Sequence, residues 1–317
     1  MKPKIILLMG DRNGIGPEIA VKLLADPESH AMAELELMGD PKVLTAGGGT
    51  PDQAIETFCP EPDAPVEPGK ATAAAGREVL AGLAEAARRV AAGQAQGLVF
   101  APLNKEAMHL GGLQQEDEMR YLARELDYGG DFGELNVLDG LWTTRVTSHV
   151  PLSQVAGHIS GESIGQSIRF AHHTLTNAGY ETPRIAVAAL NPHAGDGGNF
   201  GREEIEIIEP AVAAARNSGI AAEGPFPSDT VFVRAQRGEF DCVVTMFHDQ
   251  GQIAMKLMGF GRGVTVLGGL PIPVATCGHG TAYDIVGTGQ ATPEALKNAL
   301  RLCVDMAKGK ANTGTDA

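Results

Sequence analysis

Residues 4–24 read KIILLMGDRNGIGPEIAVKLL, and this stretch decides the fold class. Ile5 to Met9 is an unbroken apolar run of strand length, the pattern of a strand buried on both faces. It ends in a glycine-rich loop, Gly10 to Gly16. Pro17 then stands where a helix begins, because its fixed φ suits the first turn and its missing N–H is no loss there. Glu18 to Leu24 follows with helical spacing. Buried strand, loop and helix in succession form the repeating unit of an α/β protein with a parallel sheet.

Outward from this unit the alternation continues. Glu28 to Gly69 mixes short apolar runs with Gly and Pro and reads as strands and loops; Ala71 to Gly93 is an amphipathic helix. Gly97 to Pro102 is a second buried strand. A helix is expected over Asp117 to Leu126, then strands near Asn136 to Leu138 and Thr143 to Ser148, and a helix over Ser163 to Asn177. Arg184 to Leu190 reads as a strand, Glu203 to Ser218 as a helix, Phe240 to Phe247 as a strand and Pro293 to Met306 as a closing helix. The order predicts a doubly wound, mainly parallel sheet without repeats or linkers, organised as two interleaved subdomains.

Composition narrows the function. The chain of 317 residues is 43% hydrophobic but only 5% aromatic, with 41 glycines, so its core is aliphatic and its loops are tight. A formal charge of −14 argues against nucleic acid as a partner. Cys59, Cys242, Cys277 and Cys303 are scattered without a CxxC pair, which fits reduced thiols better than disulfides or a cysteine-bound zinc. No apolar run has the length of a membrane span, and Ile5 to Met9 is too short for a signal peptide. A cytoplasmic enzyme is expected.

In open α/β sheets the chemistry gathers in loops beyond the carboxyl ends of the strands. Four such loops carry reactive residue types: Gly10 to Glu18, Thr147-Ser148-His149, Asn191-Pro192-His193 with its glycine-rich tail, and Met246 to Gly251. Each histidine alone reads as a hydrogen-bonding loop residue. Taken together, His149, His193 and His248 also read as three neutral imidazoles for a divalent metal, a site the fold would have to assemble. There is no GxGxxG fingerprint and no phosphate loop of the GxxxxGK[ST] type. The glycine clusters at 195–198, 259–263 and 278–280 read as turns on pattern alone.

Five segments in order do more. NPHAGDGGNFGREE (191–204), GPFPSDTVF (224–232), HDQG (248–251) with KLMGFGRGV (256–264), GHGTAYDIVGTG (278–289), and GIGPEIA (14–20) at the amino terminus resemble the successive signatures of the 4-hydroxythreonine-4-phosphate dehydrogenase (PdxA) family. The resemblance covers nearly the whole chain. It implies the isocitrate/isopropylmalate dehydrogenase-like fold, a single domain over 1–317 whose subdomains are 1–115 with 258–317 (cofactor side) and 116–257 (dimerisation and metal side).

It also implies NAD or NADP, and a divalent metal (Zn, Mg or Mn) held by His149, His193 and His248. Two of these histidines would come from one subunit and the third from its partner, in a homodimer with the active site at the subunit interface. Lys256 would serve catalysis and substrate binding, and Asp249 would assist proton transfer or orient a histidine. His279, Gly280, Thr281, Ala282 and Asp284, with Gly14, would hold the cofactor. The implied reaction is oxidation of a small anionic hydroxy acid, followed by decarboxylation where the new ketone is β to a carboxylate.

The substrate segment departs from the family. Where a Gly-His-Thr-Glu segment is expected, the chain reads QQEDEMRYLA (114–123), which puts Glu118 and Met119 in the His and Thr places. A family Asn and Arg become Thr265 and Val274, and Gly278 replaces an Asp. Losing that Arg removes a bidentate anion partner; Arg120 offers a replacement, or is simply an exposed helical arginine. A catabolic dehydrogenase of a four-carbon sugar-acid phosphate or a dihydrodiol dicarboxylate is therefore an alternative to the vitamin-pathway reaction. A non-oxidative metal-dependent lyase and a non-catalytic ligand-binding protein are the others.

Overall fold

The structure, a computed structural model, describes residues 2–50, 55–259 and 261–313. Phe260, in the 259–263 glycine cluster, lies outside the described residues. Eleven strands are described: β1 Lys4–Leu8, β2 Glu34–Gly39, β3 Ile55–Thr57, β4 Gly97–Phe100, β5 Gly133–Leu138, β6 Leu141–Arg145, β7 Ile185–Ala188, β8 Ala222–Phe226, β9 Cys242–Thr245, β10 Val264–Gly268 and β11 Val274–Cys277. Helices run between most of them, so the α/β class is as expected. The chain divides into two units, Met1–Asp131 with Val264–Ala317, and Phe132–Gly263.

In the first unit the strand order is β3-β2-β1-β4-β11-β10. Every neighbouring pair is parallel except β10 with β11. β1, buried along Ile5 to Leu8, lies in register between β2 and β4, with Ile5 opposite both Leu35 and Gly97. Such a strand can only be an uninterrupted apolar run. The helix Ala73–Ala91 opens on Thr72, whose side chain accepts from the Ala75 N–H, and buries Val79, Leu80, Leu83, Ala86 and Ala87.

Sequence reading placed only strands and loops between Glu28 and Gly69. The structure puts two helices there, Pro27–Met32 and Pro41–Ala46. Each follows an aspartate that caps it, Asp26 or Asp40, with proline in the first turn. Helix Glu118–Glu125 belongs to the first unit, and Tyr121 Oη donates to the Leu80 carbonyl 3.0 Å away. The boundaries thus fall at 131/132 and 263/264, against the 115/116 and 257/258 read from the sequence.

In the second unit the order is β5-β6-β9-β7-β8, parallel except for β5 with β6. That antiparallel pair turns through Asp139 and Gly140, both at positive φ (50° and 85°), as a two-residue hairpin needs. Trp142 on β6 is fully buried, and its indole donates to Tyr180 Oη at 3.3 Å. The helical stretch expected over 203–218 begins as a π-helix, Glu204–Ile208, and continues as the α-helix Glu209–Asn217.

Candidate functional site

The three histidines follow three neighbouring strands. β6, β9 and β7 lie side by side and parallel, so their carboxyl ends share one edge of the sheet in the second unit. Past the ends of β6 and β9 the pairing persists: Val146 N–H donates to Thr245 O at 2.8 Å, and Thr147 N–H and Oγ1 donate to Met246 O at 3.1 and 2.8 Å. The two segments thus run in step through Thr147 and Met246, and His149 and His248 follow with their ring centroids 5.7 Å apart.

His248 Nδ1 lies 2.7 Å from Asp249 Oδ1. The carboxylate accepts, so Nδ1 carries the proton and Nε2 keeps its lone pair for a ligand. Gln250 locks the base of the same loop. Its Oε1 accepts from Met246 N–H at 2.8 Å, and its Nε2 donates to Ala189 O and Ser228 Oγ at 2.8 and 2.9 Å. One side chain therefore ties the β9 loop to the end of β7 and to helix Ser228–Gln236.

At the end of β6, the guanidinium of Arg145 donates to Ser148 Oγ (3.0 Å) and Asn136 Oδ1 (3.3 Å) and pairs with Glu134 at 2.6 Å. Gln252, on the helix that starts at His248, also donates to Asn136 Oδ1. Arg145, Gln250 and Gln252 were not singled out from the sequence. Gln250 lay inside the HDQG signature, whereas Arg145 and Gln252 carried no signal beyond their nearness to it.

His193 stands apart. It is exposed, with its ring centroid 6.1 Å from that of Phe200. Its loop, Pro192–Gly198, runs left-handed from His193 through Gly197. Left-handed backbone costs an L residue roughly 1–2 kcal/mol, and His193, Ala194 and Asp196 all adopt it. Among the described residues, no three His, Cys, Asp or Glu side chains of one chain are grouped to hold a metal ion. Two of the three expected histidines come together, and the third does not join them within the chain.

Lys256 lies on the His248–Gly259 helix, seven residues after Asp249 and so on the same face. It is exposed and makes no ion pair among the described residues.

The loops expected to hold the cofactor lie in the first unit. Ile15 N–H donates to Thr281 O at 3.1 Å, joining the β1 loop to the segment after β11. A β-carbon on Gly14 would sit 2.9 Å from Thr281 Cβ. Thr281 is buried, and Ala282 is left-handed (φ 44°, ψ 57°). Tyr283 Oη donates to Asp11, whose other oxygen accepts from Asn13 N–H at 2.9 Å. Burial pushes Asp11 above the usual carboxylate range, although Tyr283, Asn13 and Arg12 pull it down. Burial and the Asp11 charge both push the Tyr283 phenol up. His279 is half-buried with Nδ1 3.1 Å from Gly280 O, and Asp284 and Gly280 are exposed.

Arg12, in the same β1 loop, is buried and engaged on all sides. It pairs with Asp40 at 2.9 Å and reaches the Glu61 and Ala64 carbonyls at 3.4 and 3.3 Å. Its Nε lies 3.0 Å from Glu78 Oε2 without hydrogen-bond alignment. Burial pushes Glu78 up to about 7, outweighing the pull of Arg12. Arg12 thus clamps the β1 loop to Asp40 and to the 61–64 segment.

The altered substrate segment is placed as follows. Glu118 opens helix Glu118–Glu125, Met119 is buried in it, and Arg120 is held by Asp117 and by Glu116 at 3.3 Å. The Arg120 charge is therefore already met by two carboxylates. Thr265 sits half-buried on β10 opposite Thr276, and Val274 is fully buried in β11.

The family model described as "Pyridoxal phosphate biosynthetic protein PdxA" matches residues 6–303. The chain is 38% identical over 335 residues to the 4-hydroxythreonine-4-phosphate dehydrogenase of Geobacter metallireducens, covering 99% of this chain and 98% of that protein. It is 37% identical over 324 residues to the D-threonate 4-phosphate dehydrogenase of Salmonella typhimurium, with 96% and 98% covered. A crystal structure of the 4-hydroxythreonine-4-phosphate dehydrogenase of Klebsiella pneumoniae superposes with a TM-score of 0.84 at 34% identity, over 96% of this chain and all of that one.

Proposed function

The chain belongs to the pyridoxal phosphate biosynthetic protein PdxA family, and from that premise we propose that it is a metal-dependent NAD(P) dehydrogenase of a small phosphorylated four-carbon hydroxy acid. The observation that carries the reading is the His149–His248 pair, set by adjacent strands, with Asp249 leaving one His248 nitrogen free. Two imidazoles side by side at the strand ends, and a third on the next strand's loop, are a donor set of the right chemistry for a divalent transition metal. The residues present fit the group.

The third ligand is His193, supplied by a second copy of the chain. Exposed apolar side chains flank the histidine segments: Leu152 at 71%, Ile253 at 59% and Leu257 at 84%. Isolated exposed leucines are ordinary, but a helix that carries His248 and presents Ile253 and Leu257 one turn apart supports a covering partner. The proposed assembly is a homodimer.

A metal held by these histidines would lower the pKa of a substrate hydroxyl, and a bound NAD(P) would take up the hydride released on its oxidation. The protein's own residues bind and orient. Asp249 holds the His248 tautomer, and Gln250 holds its loop. Lys256, charged and unpaired among the described residues, anchors the anionic end of the substrate. The cofactor rests on Gly14, His279, Gly280, Thr281, Ala282 and Asp284. Thr281 and Gly14 are in contact distance, and the Ile15–Thr281 hydrogen bond holds the two loops in place.

Substrate preference follows from what the altered residues no longer offer. Met119 and Val274 are buried apolar side chains where the family pattern has Thr and Arg, and Arg120 is already ion-paired. A site that lacks hydrogen-bond partners for one substrate discriminates against it. A sugar-acid phosphate, as in the name of the Salmonella relative, is the preferred class. The test is reduced-nicotinamide formation with Mg, Mn or Zn on D-threonate 4-phosphate, D-erythronate 4-phosphate, 4-phosphohydroxythreonine and an aromatic dihydrodiol dicarboxylate. Turnover of the sugar-acid phosphates supports the proposal. Turnover of 4-phosphohydroxythreonine alone would overturn the substrate assignment, and no turnover of any would overturn the activity.

A further inference from the structure

Five successive residues on the His193 loop are left-handed: His193 (φ 54°, ψ 31°), Ala194 (53°, 43°), Gly195 (79°, −8°), Asp196 (45°, 55°) and Gly197 (64°, 17°). Single left-handed residues are routine, whereas runs are not, because each Cβ crowds the following carbonyl. Such a conformation persists only where its surroundings over-determine it. The fastening is therefore as informative as the turn.

Three hydrogen bonds at the entry to the turn converge on Glu204. Its residue is fully buried. Oε1 accepts from Leu190 N–H at 2.9 Å and Asn191 N–H at 2.7 Å; Oε2 accepts from Asn191 Nδ2 at 2.9 Å. No cation pairs with it among the described residues, and the donors that reach it are N–H groups. It also lies directly against the turn, since a β-carbon on Gly195 would stand 2.8 Å from Glu204 Oε2.

Other bonds close the turn itself. Glu203 takes a second bond from Asn191 Nδ2 at 2.7 Å, Phe200 N–H closes on Gly195 O at 3.1 Å, and Asn199 Nδ2 reaches Asp196 Oδ2 at 3.0 Å. Glu204 opens the π-helix Glu204–Ile208. A π-turn adds a residue to the helical repeat and is seldom kept without a functional reason.

A buried carboxylate without a counter-ion is an expensive way to brace an ordinary loop. Here it bonds Leu190 and Asn191, three and two residues before His193, and stands against Gly195, two residues after it. We propose that Glu204 is the positioning residue for His193: it holds the left-handed turn, and the turn fixes where the imidazole is presented. The inference rests on the reading of His193 as a metal ligand. Glu204 itself touches neither His193 nor, on this account, the metal.

Glu204→Gln tests it. The glutamine oxygen can still accept from Leu190 and Asn191 N–H, but its amide nitrogen then faces the Asn191 amide nitrogen, donor against donor. Mn or Zn binding to the metal-free, full-length protein is measured by calorimetry, beside thermal unfolding and nicotinamide affinity. Expected is a loss of metal affinity of about 10- to 100-fold, the range for residues that orient a ligand. Unfolding should stay cooperative and nicotinamide affinity unchanged. A merely structural role would lower stability and leave the metal affinity of the folded fraction as it was.

His193→Ala, measured in parallel, separates the two claims. If it binds metal as wild type does, the ligand reading falls. If it loses metal while Glu204→Gln keeps wild-type affinity, the positioning role is overturned and the ligand reading stands. Should Glu204→Gln not fold, Gly195→Ala presses the same contact from the turn side, and wild-type metal affinity there would equally overturn the proposal.

Discussion

Gly14→Ala probes the contact between the two loops assigned to the cofactor. Gly14 has no positive φ, so alanine meets no backbone penalty and the effect is steric. The new β-carbon would lie 2.9 Å from Thr281 Cβ, 3.1 Å from Thr281 O and 3.2 Å from Thr281 Cγ2. Thr281 has little freedom to retreat, being buried, bonded through its carbonyl to Ile15 and followed by a left-handed alanine. The loops must therefore part by several tenths of an ångström. Overpacking of this kind costs about 1–3 kcal/mol. Where the loops hold the dinucleotide, that is roughly a 5- to 150-fold rise in its dissociation constant.

Calorimetric titration with NAD and with NADP reads this directly. Metal affinity, assigned in the proposal to histidines of the other unit, should not change. Gly16→Ala is the contrast: its β-carbon would meet the Met9 carbonyl at 2.1 Å, so it should lower the melting temperature first. Wild-type nicotinamide affinity in a folded Gly14→Ala protein would refute the assignment of this contact to the cofactor.

Three further outcomes are expected. Glu78 has its pKa raised by burial to about 7 from an ordinary 4.5, so its contribution to stability is complete below about pH 4.5 and is lost as pH rises through 7. Glu78→Gln should abolish that slope and be the more stable protein at pH 8, by at most about 3 kcal/mol; denaturant unfolding at pH 5 and 8 that shows the same slope in both proteins would contradict this. Lys256→Met should raise KM for a phosphorylated substrate about 10- to 100-fold while Lys256→Arg retains most of the binding, and equal KM values in the two would remove Lys256 from the anion site. Asp249→Ala should weaken metal binding about tenfold by freeing the His248 tautomer, and an unchanged affinity would leave Asp249 a surface acid.

The fold was legible where the pattern was long or uninterrupted. β1, its loop and the following helix follow directly from residues 4–24, and Ala73–Ala91 from its apolar spacing. Helices Pro27–Met32 and Pro41–Ala46 were missed because six residues give too little periodicity to see. Their aspartate-proline starts were the available signal. Helix His248–Gly259 hid behind a motif read as a loop.

At the site, histidines after strands were visible as residue types, but their neighbourhood was not. Strand order cannot be read from one sequence, and it is the adjacency of β6 and β9 that puts His149 beside His248. The left-handed turn was illegible for a different reason. Glycine marks that conformation, and three of its five residues are not glycine. The ion pairs of Arg120 were legible from spacing, since Glu116 and Asp117 stand four and three residues before it.

In the proposed site His149, His193 and His248 together hold a divalent metal. Its most direct test is metal content, by mass spectrometry of the purified full-length protein and of the three single histidine-to-alanine variants, after equilibration with Zn or Mn. Roughly one ion per chain is expected in the wild type, and loss of it in each variant with folding unchanged. Full metal content in the His193→Ala and His248→Ala proteins would contradict it.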